Sequence, residues 1–492
     1  MLPGILAAYG LLHLLIRLVI SESAELDEAE QLLLSQSFAW GYADKPPLYT
    51  WLQMLFCAVF GVNIFALALL KNLLLFATHL CLFLAARIVL CTSGLAALTA
   101  LSLWLIPQVA WESHRDLTHS VLATSLSASV FCVMATLLRT GHTWPYVALG
   151  LLLGLGALSK ANFMLFATAL CVAVMSQRAW RARLRDRRLL LTLGVAAVLV
   201  LPHALWLLGH VRPLPSQAAQ GSAWRLGPPS VETIATGLFT LLSASVRFLT
   251  PWWLVCLVLF PQTLRPLQQA RVDRGGYHRL LERFFLAVFG ILVALVILFD
   301  IKHFKSRWMH PLLFLAPLYV FLRVRDASVA PGRLKAYAYV LACVGLLFLG
   351  APLAQALGGP WFGVYSRLHI PFTPLAEQLR AAGFRRGTII AGDVLLGGNL
   401  RLAFAASRVL TPRFAPALPP RPVNPGQCLV VWNSSEGHTV PVALRRFAED
   451  VSHGRLPPEQ AARPVEARLV HASRETFQLR FLLFPEGLGD CR

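Results

Sequence analysis

Carboxylate side chains crowd one short segment near the start of the chain. Residues 21–34 read SESAELDEAEQLLL, and one further acid and a single lysine follow in GYADK. A carboxylate can accept a proton from a reacting hydroxyl, so this segment contains candidate general bases. These acids are Glu22, Glu25, Asp27, Glu28, Glu30 and Asp44, and the lysine is Lys45.

A plain structural role also accounts for part of this segment. Leu26 and residues 32–34 form an apolar stripe at helical spacing, and acids in a first turn favour the helix dipole. A solvated amphipathic helix would therefore place the same acids without any chemistry. It does not account for GYADKPPLYTWL, where a Gly-Tyr turn, an acid, a lysine and two prolines lead into an apolar stretch too short to span a membrane.

The composition fixes the class of protein that must position these groups. Of 492 residues, 57% are hydrophobic and only 14% are charged, and the mean hydropathy is +0.62. Soluble globular chains carry about 25% charged residues. The chain is therefore a polytopic α-helical membrane protein, and the long apolar blocks exclude a soluble enzyme, a disordered chain, a coiled coil and a disulfide-dense scaffold.

The apolar blocks predict roughly eleven membrane spans, because a spanning helix needs about 20 apolar residues. The predicted spans are 3–20, 64–88, 94–110, 117–138, 144–158, 161–177, 189–209, 234–260, 284–300, 309–322 and 337–356.

Arginine-rich connectors orient these spans. The net charge of +20 would suggest nucleic acid in a soluble chain, but the arginines cluster between apolar blocks, at 178–188, 265–283 and 323–335. By the positive-inside rule these connectors and the N-terminus lie in the cytoplasm. The loop 21–63, the short loops 111–116 and 301–308, and the tail then face the periplasm of a bacterial inner membrane, and nucleic acid is not expected as a partner.

The segment 358–492 differs from the rest in composition and predicts a small periplasmic α/β domain. Strand-like runs at 388–391, 428–432 and 477–481 alternate with helix-like stretches near 395–406 and 441–450. Cys428 and Cys491 both lie in this segment, and an oxidising compartment favours a disulfide between them. The alternative is two unpaired thiols at a frayed chain end. Residues 1–357 form the predicted transmembrane domain.

Several fixed spacings in the first loop resemble those of a known family. They resemble the first periplasmic loop of GT-C glycosyltransferases of the family 39/83 type, which use polyprenyl-phosphate-linked sugars: protein O-mannosyltransferase-like proteins, aminoarabinose transferases of lipid A and Rgt-type galacturonosyltransferases. The matching loop-one residues are Asp27-Glu28, Gly41-Tyr42, Asp44-Lys45-Pro46-Pro47-Leu48 and Trp51-Leu52. Further agreeing pieces are 111–116, Leu158-Ser159-Lys160, 302–308 and His310-Pro311-Leu312. The resemblance covers most of 1–325 and weakens in the tail.

The resemblance implies a GT-C fold and roles for the acids. Moving a sugar from a lipid phosphate to a hydroxyl needs a base for the hydroxyl proton. Asp27 matches the family's acidic position and is expected to be that base, with Glu28 and Asp116 supporting it or orienting the acceptor. The neighbouring carboxylates of Glu22, Glu25 and Glu30 remain alternative positions for the base.

The leaving group in such a reaction is a polyprenyl phosphate, whose growing charge needs cations. Lys45 matches the family in this role, and snorkelling contact with lipid headgroups is the alternative for the cations of 301–308. The expected phosphate-binding residues are Lys45, Lys160, Lys302, Lys305 and Arg307. Tyr42, Asp44 and His303 are expected to line the substrate site.

No cofactor is firmly implied. His114, His119, His303 and His310 flank the outside loops without metal-site spacing, so a divalent metal is only an alternative. The expected partners are a polyprenyl-phosphate-linked sugar, a lipid A, glycolipid or surface-glycan acceptor, and membrane lipids. A transporter or lipid flippase is the alternative from another class, and a glycan ligase or polymerase is the third reading.

Overall fold

The structure is a computed structural model that describes residues 1–42, 45–210, 230–264, 276–417, 419, 426–434, 439–454, 461–472, 474–484 and 489–491. Asp44, an expected substrate-lining residue, lies outside this range.

Helices dominate the first half of the chain. They are α1 (Leu2–Ile20), α2 (Leu26–Leu34), α3 (Leu48–Phe60), α4 (Ile64–Leu90), α5 (Ser93–Leu101), α6 (Ser113–Arg115), α7 (His119–Thr140), α8 (Trp144–Ala157), α9 (Ala161–Met175), α10 (Arg178–Leu184), α11 (Leu189–His210), α12 (Val231–Leu249) and α13 (Trp252–Leu259).

The second half adds seven helices and five strands within the described residues. The helices are α14 (Tyr277–Phe299), α15 (His310–Leu313), α16 (Ala316–Asp326), α17 (Pro331–Gly358), α18 (Phe372–Ala381), α19 (Val394–Ala403) and α20 (Val442–Ser452). The strands are β1 (Gly387–Ala391), β2 (Arg408–Leu410), β3 (Gln427–Asn433), β4 (Arg463–Arg468) and β5 (Thr476–Phe484).

Every predicted span interval contains helix, but not every helix is long enough to cross a membrane. Within the described residues, six helices are long and apolar enough, and two bent helix pairs bring the number to eight. The first bent pair flanks Pro107 at 76° and the second flanks Pro251 at 68°. Proline removes a helix hydrogen bond and breaks the helix, which explains both bends. The predicted span 309–322 is likewise divided, into α15 and α16. A total of eleven spans stays a prediction.

One compact unit consists of residues 1–10, 73–114 and 119–349. Its core is formed by α7, which is largely buried, and by aromatic contacts among Phe166, Phe284 and Phe314. In α11 only Thr192 is buried, so this helix presents apolar side chains on nearly all sides. A helix that is apolar all round and exposed to its surroundings fits a lipid environment.

The second compact unit consists of residues 11–72, 115–118 and 350–492 and contains the sheet. The strand order is β2-β1-β3-β5-β4. β1 pairs in parallel with β2 and β3, whereas β5 pairs antiparallel with β3 and β4. β1 is buried along its whole length, as expected for a central strand covered on both faces. The predicted small α/β domain is therefore present.

Each face of this sheet has its own core. On one face, α18 and α19 pack with Leu33 and Leu34 of α2. On the other face, α20 contributes Leu444, Phe447, Ala448 and Val451, a spacing that forms a single helical stripe. Cys428 and Cys491 lie in this second core.

The first loop packs with the C-terminal segment within this second unit, and the division into domains at 357/358 stays a prediction. Asn399 Oδ1 accepts from the N–H of Ala24 at 2.7 Å, and Asn399 Nδ2 donates to Ala24 O at 3.2 Å. On edge strand β2, the N–H of Val409 donates to Gln36 Oε1 at 2.8 Å, and Gln36 Nε2 donates to Val409 O at 2.9 Å. A Cβ atom at Gly398 would overlap the backbone of Ala29. These contacts join residues far apart in the sequence, so the periodicity of the sequence does not predict them.

Candidate active site

The first turn of α2 positions the predicted base. Glu25 is the N-cap residue, and its N–H donates to the Glu28 carboxylate at 3.0 Å in a capping box. Asp27 is the second residue of the helix, and its N–H donates to Asp116 Oδ1 at 2.7 Å. The structure therefore brings together the three predicted catalytic residues, Asp27, Glu28 and Asp116, through the helix N-terminus.

Glu28 is the centre of a buried ion cluster. Its carboxylate accepts from Lys71 Nζ at 2.7 Å and from Arg17 Nη2 at 2.9 Å, and its side chain is 1% exposed. Burial raises the pKa of Glu28, but the charges of Lys71 and Arg17 outweigh burial and lower it from 4.5 to about 2. Glu28 is thus an ionised carboxylate that is already satisfied, which suits it to support and not to proton transfer.

Glu25 and Asp116 share a third cation. Arg367 Nη1 lies 3.4 Å from Glu25 Oε2 and 3.7 Å from Asp116 Oδ2. Burial raises the pKa of both acids, and the charge of Asp116 raises that of Glu25 further, as the charge of Asp27 raises that of Asp116. Both carboxylates therefore hold protons more readily than free side chains do.

The remaining acids of α2 and its approach also have partners. Glu22 accepts from Thr373 Oγ1 at 2.7 Å, and Glu30 forms an ion pair with Lys45. Asp27 is half-buried, and among the described residues its carboxylate has neither an ion pair nor a hydrogen bond. Of the acids in 22–30, Asp27 is the one whose carboxylate has no such partner within the part of the chain that the structure describes.

The turn after α2 holds Lys45 in place. Tyr42 and Lys45 pair through their backbones, with N···O distances of 3.1 Å and 2.7 Å. Tyr42 is 2% exposed, and its hydroxyl donates to Ser37 O at 2.8 Å and accepts from Ala39 N at 3.1 Å. Tyr42 therefore has a structural part in the loop, and its expected substrate-lining role stays a prediction.

The other predicted cations belong to the other compact unit. There Lys160 Nζ donates to Ser120 Oγ at 2.7 Å, and Lys302 Nζ lies 3.6 Å from Asp300 Oδ2. His303, Lys305 and Arg307 are exposed. Exposure leaves these three side chains accessible to a ligand, and their expected roles stay predictions.

Cys428 and Cys491 form a disulfide with a Cα–Cα distance of 5.4 Å. Among the described residues, no group of three or more His, Cys, Asp or Glu side chains is arranged to hold a metal ion.

Comparison with known proteins identifies the family. The chain is 36% identical over 443 residues to the lipopolysaccharide core galacturonosyltransferase RgtB of Rhizobium johnstonii, covering 88% of this chain and 87% of that protein. It is 33% identical to RgtA of the same organism, covering 89% and 88% of the two chains. The chain belongs to the GT-C glycosyltransferases. The dolichyl-phosphate-mannose-protein mannosyltransferase family profile matches residues 44–206 of this glycosyltransferase.

The fold of this GT-C glycosyltransferase agrees with that assignment. It resembles the crystal structure of ArnT from Cupriavidus metallidurans bound to undecaprenyl phosphate, with a TM-score of 0.63 and 15% identity over 97% of both chains. The prediction of a GT-C membrane glycosyltransferase is confirmed. This result rules out the alternative of a transporter.

Sequence reasoning missed the three cations that neutralise the acids of this GT-C site. Arg17 and Lys71 stand inside the apolar helices α1 and α4, and an ionisable residue in such a helix usually has a partner. That signal could have pointed to both. Arg367 has no comparable signal, since it lies in an arginine-rich segment 340 positions or so from the carboxylate it meets.

Proposed function

We propose that this glycosyltransferase moves a galacturonosyl or related sugar from a polyprenyl-phosphate-linked donor to a lipid A, glycolipid or surface-glycan acceptor. The observation that carries the proposal is the Asp27 carboxylate, half-buried and without a partner among the described residues, beside acids that all have one. The relatives RgtA and RgtB are named for transfer to the lipopolysaccharide core, and the structural neighbour ArnT was solved with undecaprenyl phosphate. These names support a lipid-linked donor and an envelope glycolipid acceptor.

The proposed reaction is a single displacement at the anomeric carbon. Asp27 takes the proton of the acceptor hydroxyl as its oxygen forms the new glycosidic bond. The bond between the anomeric carbon and the phosphate oxygen breaks, and its electron pair leaves with the polyprenyl phosphate. Attack opposite to the leaving group inverts the anomeric configuration.

Cations stabilise the departing phosphate in this scheme. Lys45 is the first candidate because it is adjacent to α2 in the same compact unit and forms an ion pair with Glu30. A phosphate near Lys45 would compete with Glu30 for the ammonium group. Lys160, Lys302, Lys305 and Arg307 are the further candidates, and Tyr42, Asp44 and His303 are proposed to line the site.

The chemistry is proposed to occur in the periplasm of a bacterium, with the N-terminus in the cytoplasm. Reporter fusions after residues 183 and 330 should then give cytoplasmic signals, and fusions after residues 35 and 400 periplasmic signals. A cytoplasmic signal at 400 would overturn the proposed side of the reaction.

Mass spectrometry of lipid A, core and surface glycans from a deletion strain tests the function directly. The proposal predicts the loss of one sugar, restored by the wild-type gene and not by a gene encoding Asp27→Asn. An unchanged set of glycans in the deletion strain would contradict it.

A further inference from the structure

Arg367 is held in a rigid position next to the carboxylates of the site. It begins a short turn, Arg367–His369, that is closed by a capping box between Ser366 and His369. The Ser21 hydroxyl donates to Leu368 O at 2.8 Å, and the Ser23 hydroxyl donates to Ile370 O at 2.9 Å. The first loop thus fixes the backbone of the turn that carries Arg367.

The side chain of Arg367 reaches the carboxylates of two acids, Glu25 and Asp116. It lies 3.4 Å from Glu25 and 3.7 Å from Asp116, which are 3% and 13% exposed, while Arg367 itself is 43% exposed. Asp116 accepts the N–H of Asp27. A carboxylate accepts such a bond more strongly when it is ionised, so the charge of Asp116 helps to hold the first turn of α2 in place.

We infer that Arg367 is a positioning residue for the proposed reaction: it keeps Asp116 and Glu25 ionised at neutral pH, so that Asp116 holds the backbone of Asp27. The inference rests on the proposed function and extends it to the C-terminal segment. Arg367 acts through Asp116, and no contact with substrate is required for this role.

Charged groups from several elements face Glu25 and Asp116. Asp116 faces Asp27 and Glu28 of α2 and Lys71 of α4, and Glu25 faces Asp116, Glu28, Arg115 and Arg367. Lys71 also lowers the pKa of Asp116, while its ammonium group is bound to Glu28 at 2.7 Å.

Without Arg367 the two acids lose a nearby positive charge, and each then takes up a proton at a higher pH. Activity that depends on ionised Asp116 should therefore fall off earlier on acidification.

The test compares pH–rate profiles of purified full-length wild type, Arg367→Gln, Arg367→Lys and the control Arg445→Met. Undecaprenyl-phosphate-linked galacturonic acid is the donor, and the acceptor is lipopolysaccharide core from a strain that lacks the enzyme. We expect the acid limb of kcat for Arg367→Gln to move up by about 0.5–1 pH unit, a modest value because Arg367 is partly exposed to solvent. Activity should recover at high pH, and Arg367→Lys should restore the profile. Arg445 pairs with Glu449 on the exposed side of α20 and should change nothing.

Superimposed wild-type and Arg367→Gln profiles would overturn the inference. A rise in donor KM of equal size at every pH would also overturn it, because that result indicates direct contact with the donor phosphate. If Arg367→Gln does not fold, Glu25→Gln is compared with the double variant Glu25→Gln/Arg367→Gln. Because Glu25 is replaced in both, Asp116 is then the one of the two carboxylates that loses the charge of Arg367. A wild-type enzyme that transfers no sugar would instead contradict the proposed function.

Discussion

The backbone N–H of Asp27 and the carboxylate of Asp116 meet at 2.7 Å although 89 positions separate them in the chain. This bond caps the first turn of α2 with a residue from a different loop. It fixes the backbone of the candidate base and leaves the Asp27 side chain without a partner among the described residues. The proposed chemistry requires both features at Asp27: a backbone that is fixed and a carboxylate that can bind a substrate.

Removing Lys71 should destabilise the protein strongly. Lys71→Met leaves buried Glu28 with Arg17 as its remaining cation among the described residues, and breaking a buried ion pair costs about 3–5 kcal/mol. The thermal midpoint in detergent measures the change. Lys335→Met is the matched control because Lys335 is exposed. Equal midpoints for the two variants would show that the Glu28 cluster does not stabilise the fold.

Acidification should remove the stabilisation that Glu28 provides. The pKa of Glu28 falls from 4.5 to about 2 on folding, so its contribution is present above pH 4.5 and is lost as the pH falls towards 2. Glu25 has the opposite sign, since its pKa is raised and its contribution is lost as the pH rises above 4.5.

Midpoints of wild type, Glu28→Gln and Glu25→Gln between pH 3 and pH 7 check both signs. The difference in thermal midpoint between wild type and Glu28→Gln should become smaller on acidification. The midpoint of Glu25→Gln should rise relative to that of wild type as the pH rises. Parallel curves for all three proteins would contradict the pKa assignments.

Gly398 should not tolerate even one added carbon. Glycine to alanine in a helix ordinarily stabilises by about 1 kcal/mol. At Gly398, however, a Cβ would overlap the backbone of Ala29, and overpacking typically costs about 1–3 kcal/mol. Gly290→Ala in α14 is the control, because a Cβ there has open space. Gly398→Ala should lower the thermal midpoint and Gly290→Ala should not; a higher midpoint for Gly398→Ala would refute the close packing of α2 on α19.

The disulfide should stabilise the C-terminal domain. Cys428 and Cys491 close a loop with a sequence separation of 63, for which the chain-entropy model gives about 4 kcal/mol. Cys428→Ser/Cys491→Ser should therefore unfold at a lower temperature, with exposed Cys343→Ser as the control. Thiol labelling of both cysteines in unreduced cells would show instead that the bond does not form.

The sequence predicted most of the elements but not the contacts between distant ones. Apolar blocks located the helices, and β-branched runs located β1 and β3. Pro107 and Pro251 mark the helix breaks and could have been used to predict them. The pairing of Asn399 with Ala24, and of Arg367 with Glu25, depends on side chains some 340–375 positions apart. No local pattern specifies such pairs, so the inclusion of loop one in the C-terminal unit could not be predicted.

For the site, the sequence predicted the acids but not which of them have partners. Family resemblance selected Asp27, while Glu22, Glu25 and Glu30 stayed open as bases. The structure separates them by their partners: Thr373, Arg367 and Lys45 engage the three alternatives. Tertiary packing determines such partners, and neither composition nor periodicity predicts that packing.

The turnover of Asp27→Asn in the purified enzyme tests the central claim most directly. The substitution keeps the shape of the side chain and removes the proton acceptor, so the single-turnover rate of sugar transfer from undecaprenyl-phosphate-linked galacturonic acid should fall by about 10²–10⁴-fold. Donor binding should be unchanged, and Glu22→Gln should stay close to wild type. Transfer by Asp27→Asn at the wild-type rate would contradict the account.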